Sequence, residues 1–279
     1  MNVLYCTEFV FDGISSNEYD MIICSFNGSL NGEVTAGSNI EFTTFKAPGV
    51  NRWLKTGATY NEQLTFNFQI CKYKCNQPIS EPISERELAF LMRWLVRKEF
   101  RELQFIQEGY ENIYYNCQIN AQKYEVAGEC YGLTLTVICD APWGWSEQMT
   151  STISSSTNTS MQLYDSSDEI GLVYPSIEIV SKSSQDISIS NKMNGIKMLI
   201  RNCVANEQIN IRDKIITSSE CYESSVGTGY AGNHSTLYDD FNWKWFAIGN
   251  TFNNRVNEIT VNGNCDIKLS WRVPRKAVV

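Results

Sequence analysis

The stretch "GLTLTVICDAPWGWSE", residues 132–147, carries the pattern that decides how this chain folds. Leu133, Leu135 and Val137 alternate with Thr134, Thr136 and Ile138, the period of two that turns one face of a strand into a core. The strand cannot continue past Pro142, which donates no ladder hydrogen bond, and Gly144 allows the chain to turn. Trp143 and Trp145 flank that glycine. They are either an aromatic platform for a ligand or a structural joint where one domain closes. The position directly after a strand and before a Ser/Thr-rich stretch favours the joint, formed by Pro142, Trp143, Gly144 and Trp145, with the indoles packed down on the edge of the first domain.

The same alternation recurs along the chain. In "LTFNFQI" (64–70) Leu64, Phe66, Phe68 and Ile70 share a face, and in "DISISN" (186–191) Ile187 and Ile189 do so. Runs of this kind, separated by Gly, Asn, Ser and Asp turns, predict a mainly β protein. One segment departs from the period. In "PISERELAFLMRWLVRK" (82–98) Ser84 and Glu87 have the capping-box spacing, and Ile83 stands where a hydrophobic staple would meet Leu88. Leu88, Leu91, Met92 and Leu95 then form an apolar stripe at i, i+3, i+4 and i+7. The spacing predicts a helix from Glu85 to Lys98 lying on a sheet.

Residues 149–168, "MTSTISSSTNTSMQLYDSSD", hold few large apolar side chains and read as a linker or long exposed connection. The chain therefore divides into a domain at 1–148, a linker at 149–168 and a β-sandwich at 169–279. Of 279 residues, 43% are hydrophobic and 19% charged, enough apolar material for two cores.

The formal charge of −8 argues against a conventional nucleic-acid binder, which needs clustered Lys and Arg. Residues 1–150 hold 11 basic and 18 acidic side chains, net −7, and the remainder 12 and 13, net −1. The acidity belongs to the first half. The opening "MNVLYCTEFVF" lacks a basic region followed by an apolar one, and no run approaches the length of a membrane span, so synthesis in the cytoplasm without membrane insertion is expected. Ten cysteines are too sparse for a disulfide scaffold; several, such as Cys24 and Cys139, lie in apolar runs and read as buried thiols. The sequons at Asn27, Asn158 and Asn233 carry no weight without a secretory signal.

Candidate chemistry fails site by site. Cys71 and Cys75 have a C-x3-C spacing, but a zinc site needs four converging ligands and no second close pair follows. His234 is the single histidine, lies among turn residues in "AGNHSTL" and reads as a loop side chain; no nucleophile elbow accompanies it. Gly227, Gly229 and Gly232 match G-x-G-x-x-G, but without the βαβ context the motif reads as a glycine loop. Asp239 and Asp240 are adjacent, whereas glycosidase carboxylates oppose each other across a bond. In "FNWKWFAI" Phe241, Trp243 and Trp245 fall on one side of a strand, which reads as a core stripe rather than a sugar platform. No catalytic residue, cofactor site or metal site is assigned, and the protein is read as non-enzymatic.

The ordered landmarks do resemble a family, the distal tail proteins of long-tailed bacteriophages with non-contractile tails. "FVFDGISSNEYDMIICSFNG", "LTFNFQI", "LMRWLVRKEFRELQFIQEGYENIYYNCQI" and "GLTLTVICDAPWGWSE" are similar to landmarks of its N-terminal domain. "YPSIEIVSKSSQDISISNKMNG", "FNWKWFAIGNTFNNRVNEITVNG" and "SWRVPRK" resemble landmarks of its C-terminal one. The resemblance implies an N-terminal split β-barrel with one helix and a C-terminal galectin-like β-sandwich. It implies a virion protein at the distal end of the tail, forming a homohexameric ring that joins the tail tube protein to tip and tail-associated proteins. Tape-measure and receptor-binding proteins are further implied partners, and DNA would pass through the lumen without specific binding. Some relatives carry an inserted sugar-binding module, for which residues 169–279 leave no room. The alternative function is a carbohydrate-binding β-sandwich used in adsorption, with Trp243 and Trp245 stacked on sugar. Where the family extends a hairpin arm, "NRWLKTGATY" (51–60) places Trp53, Leu54 and Tyr60 beside Arg52. That composition suits a subunit contact, with a buried hairpin as the competing reading.

Overall fold

A computed structural model describes residues 8–26, 40–60, 62–72, 81–225 and 229–276. The chain is mainly β and divides into two compact units, residues 1–147 with 274–279, and residues 148–273.

In the first unit a short hairpin opens the sheet, β1 (Phe9–Phe11) with β2 (Ile14–Ser15). Its turn is Asp12-Gly13, both at positive φ, the two-residue geometry that matches strand twist. Next come β3 (Met21–Cys24), β4 (Ile40–Phe45), β5 (Leu54–Tyr60), β6 (Thr65–Lys72), the helix α1 (Glu85–Leu95), β7 (Arg101–Phe105), β8 (Tyr115–Val126), β9 (Glu129–Cys139) and β10 (Gly144–Trp145). Seven strands form one antiparallel sheet in the order β2-β1-β7-β8-β9-β6-β3. Phe66, Phe68 and Ile70 of β6 share a buried cluster with Leu133, Leu135 and Val137 of β9 and with Leu88, Leu91, Trp94 and Leu95 of α1.

The helix is capped as its sequence predicts. The Ser84 hydroxyl accepts from the Glu87 amide at 3.3 Å, while the Glu87 carboxylate accepts from the Ser84 amide at 2.9 Å. It ends at Leu95, three residues before the expected Lys98, because Val96 is already extended on the way into β7. Trp94, outside the predicted stripe, is its most embedded aromatic. The ring stacks on Phe9 and Tyr19, and its indole N–H donates to the Phe11 carbonyl at 2.9 Å.

The second unit begins with β11 (Met149–Ser155) and β12 (Asn158–Tyr164), which corrects the expected linker at 149–168. β11 pairs along seven positions with the strand Cys265–Trp271, and β12 along seven with Val256–Asn262. Ser and Thr suffice there because backbone hydrogen bonds and β-branched Thr favour extension, while Ile153 points into the core and Met161 and Leu163 pack against it. The intervening strands are β13 (Leu172–Val173), β14 (Ser176–Ser181), β15 (Gln185–Asn191), β16 (Ile196–Cys203), β17 (Gln208–Arg212), β18 (Ile215–Ser218), β19 (Tyr222–Glu223) and β20 (Tyr230–Ala231). A single helical turn, α2 (Leu237–Asp240), is followed by β21 (Ile248–Gly249), β22 (Val256–Asn262) and β23 (Cys265–Trp271). A five-stranded sheet, β11-β23-β14-β17-β18, and a four-stranded one, β12-β22-β15-β16, supply one shared core that includes Ile177, Ile189, Ile200, Val261 and Leu269. That is a β-sandwich.

The last strand, β24 (Pro274–Arg275), leaves this unit and pairs with β10, Trp145 opposite Pro274 and Gly144 opposite Arg275. Residues 274–279, expected in the second domain, therefore belong to the first unit. Six of the eight described cysteines are buried and free, whereas Cys24 and Cys71 are half-buried on the outer face of β3 and β6; Cys75 lies outside the described residues.

Candidate functional site

One hairpin of the first unit exposes apolar side chains along its length. β4 pairs with β5 from Ile40 opposite Tyr60 to Phe45 opposite Leu54, with a bulge between Thr43 and Thr44, as a separate two-stranded sheet. Its tip includes a turn Ala47-Pro48-Gly49-Val50, in which the Val50 amide donates to the Ala47 carbonyl at 3.1 Å and Gly49 takes a φ of +77°. Pro before a positive-φ Gly is the arrangement of a type II turn. Every residue of β4 is exposed, and Ile40, Phe42, Phe45, Val50 and Trp53 show between 39% and 66% of their surface to solvent. Lys55 lies over the Phe42 ring at 4.3 Å. A two-stranded ribbon is marginal in water by itself, and one with this much apolar surface gains stability when a partner covers it.

Of the four residues singled out at 51–60, Arg52 and Trp53 are exposed, Leu54 is half-buried and Tyr60 is half-buried at the root. Tyr60 meets Trp143 edge to face, ring centres 5.3 Å apart, and Trp143 meets Trp145 the same way at 6.1 Å. Lys276 stands over Tyr60 at 5.8 Å. The arm and the tryptophan pair, read separately from sequence, thus join into one aromatic chain. The exposed apolar residues of β4 were missed because "IEFTTF" reads as an ordinary half-buried strand. The flanking "APGV" turn was the available signal for the hairpin.

Around the tryptophan pair the backbone is held from two sides. Trp145 and Tyr114 exchange backbone hydrogen bonds at 2.7 and 2.9 Å, and β24 pairs along the other edge of β10. The Trp145 indole N–H donates to Asp140 Oδ1 at 3.1 Å, and Asp140 Oδ2 accepts from Asn116 at 2.8 Å. Pro142, Trp143 and Trp145 are half-buried, and Gly144 is buried.

In the second unit two sequence expectations are overturned. His234 is 1% exposed rather than a solvent-facing loop residue. Its Nδ1 lies 2.8 Å from Glu207, itself fully buried, and its Nε2 lies 3.5 Å from Asp240. Glu207 also accepts from the Ser218 hydroxyl and the Val204 amide, and Asp240 from Thr236 and Asn202. Although burial opposes it, the Thr236 and Asn202 hydrogen bonds and the nearby histidine hold the Asp240 carboxyl below its usual value. The local pattern does not show this burial because Glu207, its closest polar partner, lies 27 residues away in sequence.

The other correction concerns "FNWKWFAI". Residues 242–247 are not a strand, so the three aromatics do not share a face: Phe241 is buried, Trp245 half-buried and Trp243 57% exposed at a φ of +55°. Asp239 and Asp240 occur on the α2 turn, where Asp240 faces the histidine and Asp239 is exposed. Gly227 of the glycine motif lies outside the described residues.

Two compact β units, one bearing a ribbon whose apolar side chains are exposed among the described residues, define the class: a mainly β protein. Residues 4–141 match the family model described as a phage tail protein N-terminal domain, and residues 143–271 match the one described as a phage tail C-terminal domain. The chain belongs to this family of phage tail proteins. Its fold is similar to the crystal structure of the Dit protein of phage SPP1, described as a paradigm of the hub adsorption apparatus in phages that infect Gram-positive hosts. That likeness has a TM-score of 0.59 at 12% identity and covers 95% of this chain and 98% of that one. A Bacillus thuringiensis Cry1Da tryptic core variant aligns over 97% of this chain and 51% of its own at 9% identity, but the TM-score of 0.21 carries no argument. No curated relative matches in sequence.

Proposed function

We propose that this tail protein is a non-enzymatic component of the distal tail, assembling as a ring of six copies between tail tube and tip. The observation that carries the proposal is the β4–β5 ribbon, whose Ile40, Phe42, Phe45 and Trp53 form an apolar surface suited to a neighbouring copy. The Dit-like fold, spanning nearly the whole of both chains, supports the distal position. Arg52, Trp53, Leu54 and Tyr60 are assigned to the contact between subunits, and Pro142, Trp143, Gly144 and Trp145 to the joint at its root. Tail tube, tip and tail-associated proteins are the proposed ring partners, with tape-measure and receptor-binding proteins as further ones.

The net −7 of residues 1–150 fits the same proposal, because an acidic lumen repels DNA phosphates during passage where a basic one would retain them. A six-fold reconstruction with those carboxylates on the outer rim and Lys or Arg facing the lumen would rule out this account of the charge.

Negative-stain images and mass measurement in solution test the ring. Six-fold particles are expected from the concentrated chain, alone or mixed with tail tube protein. The double variant Phe42→Ser/Trp53→Ser should abolish them while leaving the thermal midpoint of the monomer unchanged. A strict monomer under both conditions, or rings formed equally well by the variant, would overturn the assignment.

A further inference from the structure

The exposed large hydrophobic side chains of the sandwich unit between residues 219 and 245 are, among the described residues, Tyr222, Tyr230 and Trp243. Among the described residues of that span no aliphatic side chain and no phenylalanine is exposed, in contrast to the ribbon of the first unit with Ile40, Phe42, Phe45 and Val50. Two of the three rings belong to one continuous surface. The Tyr230 ring lies 4.6 Å from Tyr238, and Tyr238 lies 6.4 Å from Trp243 with the ring planes within 20°. Behind them Phe241, 2% exposed, anchors the cluster in the core and meets Trp243 edge-on at 5.5 Å. Tyr222 stands apart, because on the β19–β20 pair it is opposite Ala231 while Tyr230 is opposite Glu223, so the two tyrosines point to different faces.

Hydrogen bonds as well as ring packing hold the platform. Trp243 sits at a φ of +55°, a conformation unfavourable for a bulky residue. Asn242 imposes that bend. Its amide donates to the Leu199 carbonyl, its side chain donates to the Lys197 carbonyl at 2.9 Å, and its Oδ1 accepts from the amides of Leu199 and Lys244. The Trp243 indole N–H then donates to the Tyr238 carbonyl at 3.1 Å, which fixes the ring while leaving it 57% exposed. The α2 turn that carries Tyr238 is pinned in its turn by Asp240, which accepts from Thr236 and Asn202 and faces buried His234. An aromatic ring already fixed in solvent lowers the ordering cost of binding something flat and amphipathic.

We propose that Tyr230, Tyr238 and Trp243 form a carbohydrate-binding platform that takes a pyranose ring of an oligosaccharide. The C–H face of the sugar packs on the Trp243 and Tyr230 rings, and its hydroxyls meet polar groups at the rim, where Asp239 and Lys244 are both exposed. A rim with one acidic and one basic side chain favours a hydroxylated ligand over a strongly charged one. A protein partner fits less well, since stable protein interfaces bury upwards of about 1,200 Å² around an apolar centre, and this surface is a few rings with polar edges.

The proposal is independent of ring assembly and is tested on the full chain, with an array of hexose and N-acetylhexosamine oligosaccharides followed by tryptophan-fluorescence titration of those retained. Trp243→Gly is the informative variant, because glycine accepts the left-handed backbone and only the ring is lost. At least tenfold weaker binding is expected for it, at the wild-type thermal midpoint, and the same loss for Tyr230→Ala. Tyr222→Ala and Trp53→Ala should bind within twofold of wild type. Retention of no oligosaccharide, equal binding by Trp243→Gly and wild type, or an equal loss in Tyr222→Ala would overturn it.

Discussion

Gly144 has no room for a side chain. A Cβ there would stand 2.7 Å from Ile113 Cγ2 and 3.1 Å from the Tyr115 ring, both part of or against the core of the first unit. Gly144→Ala should therefore cost about 1 to 3 kcal/mol by overpacking, read as a lower denaturant midpoint with an unchanged slope. His234 is the corresponding position in the sandwich. Its removal leaves the Glu207 carboxylate, wholly buried, short of a partner at 2.8 Å. A loss of about 3 kcal/mol is expected for His234→Ala, and Glu207→Gln should recover part of it in the double variant by removing the stranded charge. A loss below about 0.5 kcal/mol would show that the pair contributes nothing.

Among elements, α1 shows how a local signal and a tertiary contact cooperate. Lys72 of β6 reaches Glu87 at 2.6 Å, and this contact together with the Ser84 amide and hydroxyl lowers the Glu87 carboxyl to about 2 from its usual 4.5. A depressed carboxyl stabilises the fold above its unfolded value and loses that contribution as pH falls through the folded one. Glu87 is 45% exposed, so solvent screening keeps the gain near 1 kcal/mol. The stability difference between wild type and Glu87→Gln should be constant from pH 7 to 5, shrink between about 4.5 and 2, and vanish below; a difference independent of pH would exclude the ion pair as its source. The β1–β2 turn also carries a local signal, Asp-Gly between the paired Phe11 and Ile14. The hairpin of β17 and β18 does not, because Asp213 and Lys214 adopt the same positive φ without glycine.

For the molecule as a whole, the consequential element is β24. It returns to the first unit and supplies the second edge of β10, with Lys276 over Tyr60 at the root of the ribbon. A chain ending at Val273 should show faster hydrogen exchange at residues 140–147 and about 1 to 2 kcal/mol lower stability of the first unit, with exchange at 176–203 unchanged. Equal exchange in both chains at 140–147 would mean the pairing is unimportant. The ribbon and the aromatic platform lie in different units, so ring assembly and oligosaccharide binding are separable by mutation.

Period-two alternation, a capping box and turn glycines are local, and they were enough to read a mainly β chain, the existence and start of α1, the core faces of β6, β9 and β15, and the ordered landmarks of a tail-protein family. Local pattern read 149–168 as a linker, although Met149–Ser155 and Asn158–Tyr164 are strands, because an outer strand needs only a few inward side chains once its backbone is paired, and that pairing comes from β22 and β23, about 100 residues away in sequence. The burial of His234, the exposure of Trp243 and the apolar ribbon of β4 and β5 depend on which distant groups stand beside them. Glu207 and Asp240 enclose the histidine, Asn242 bends the chain at the tryptophan, and Phe42, with Lys55 over its ring, is left 54% exposed. Exposure is a property of neighbours in space, so only the tertiary structure decided which aromatic residues were core and which were surface for a partner.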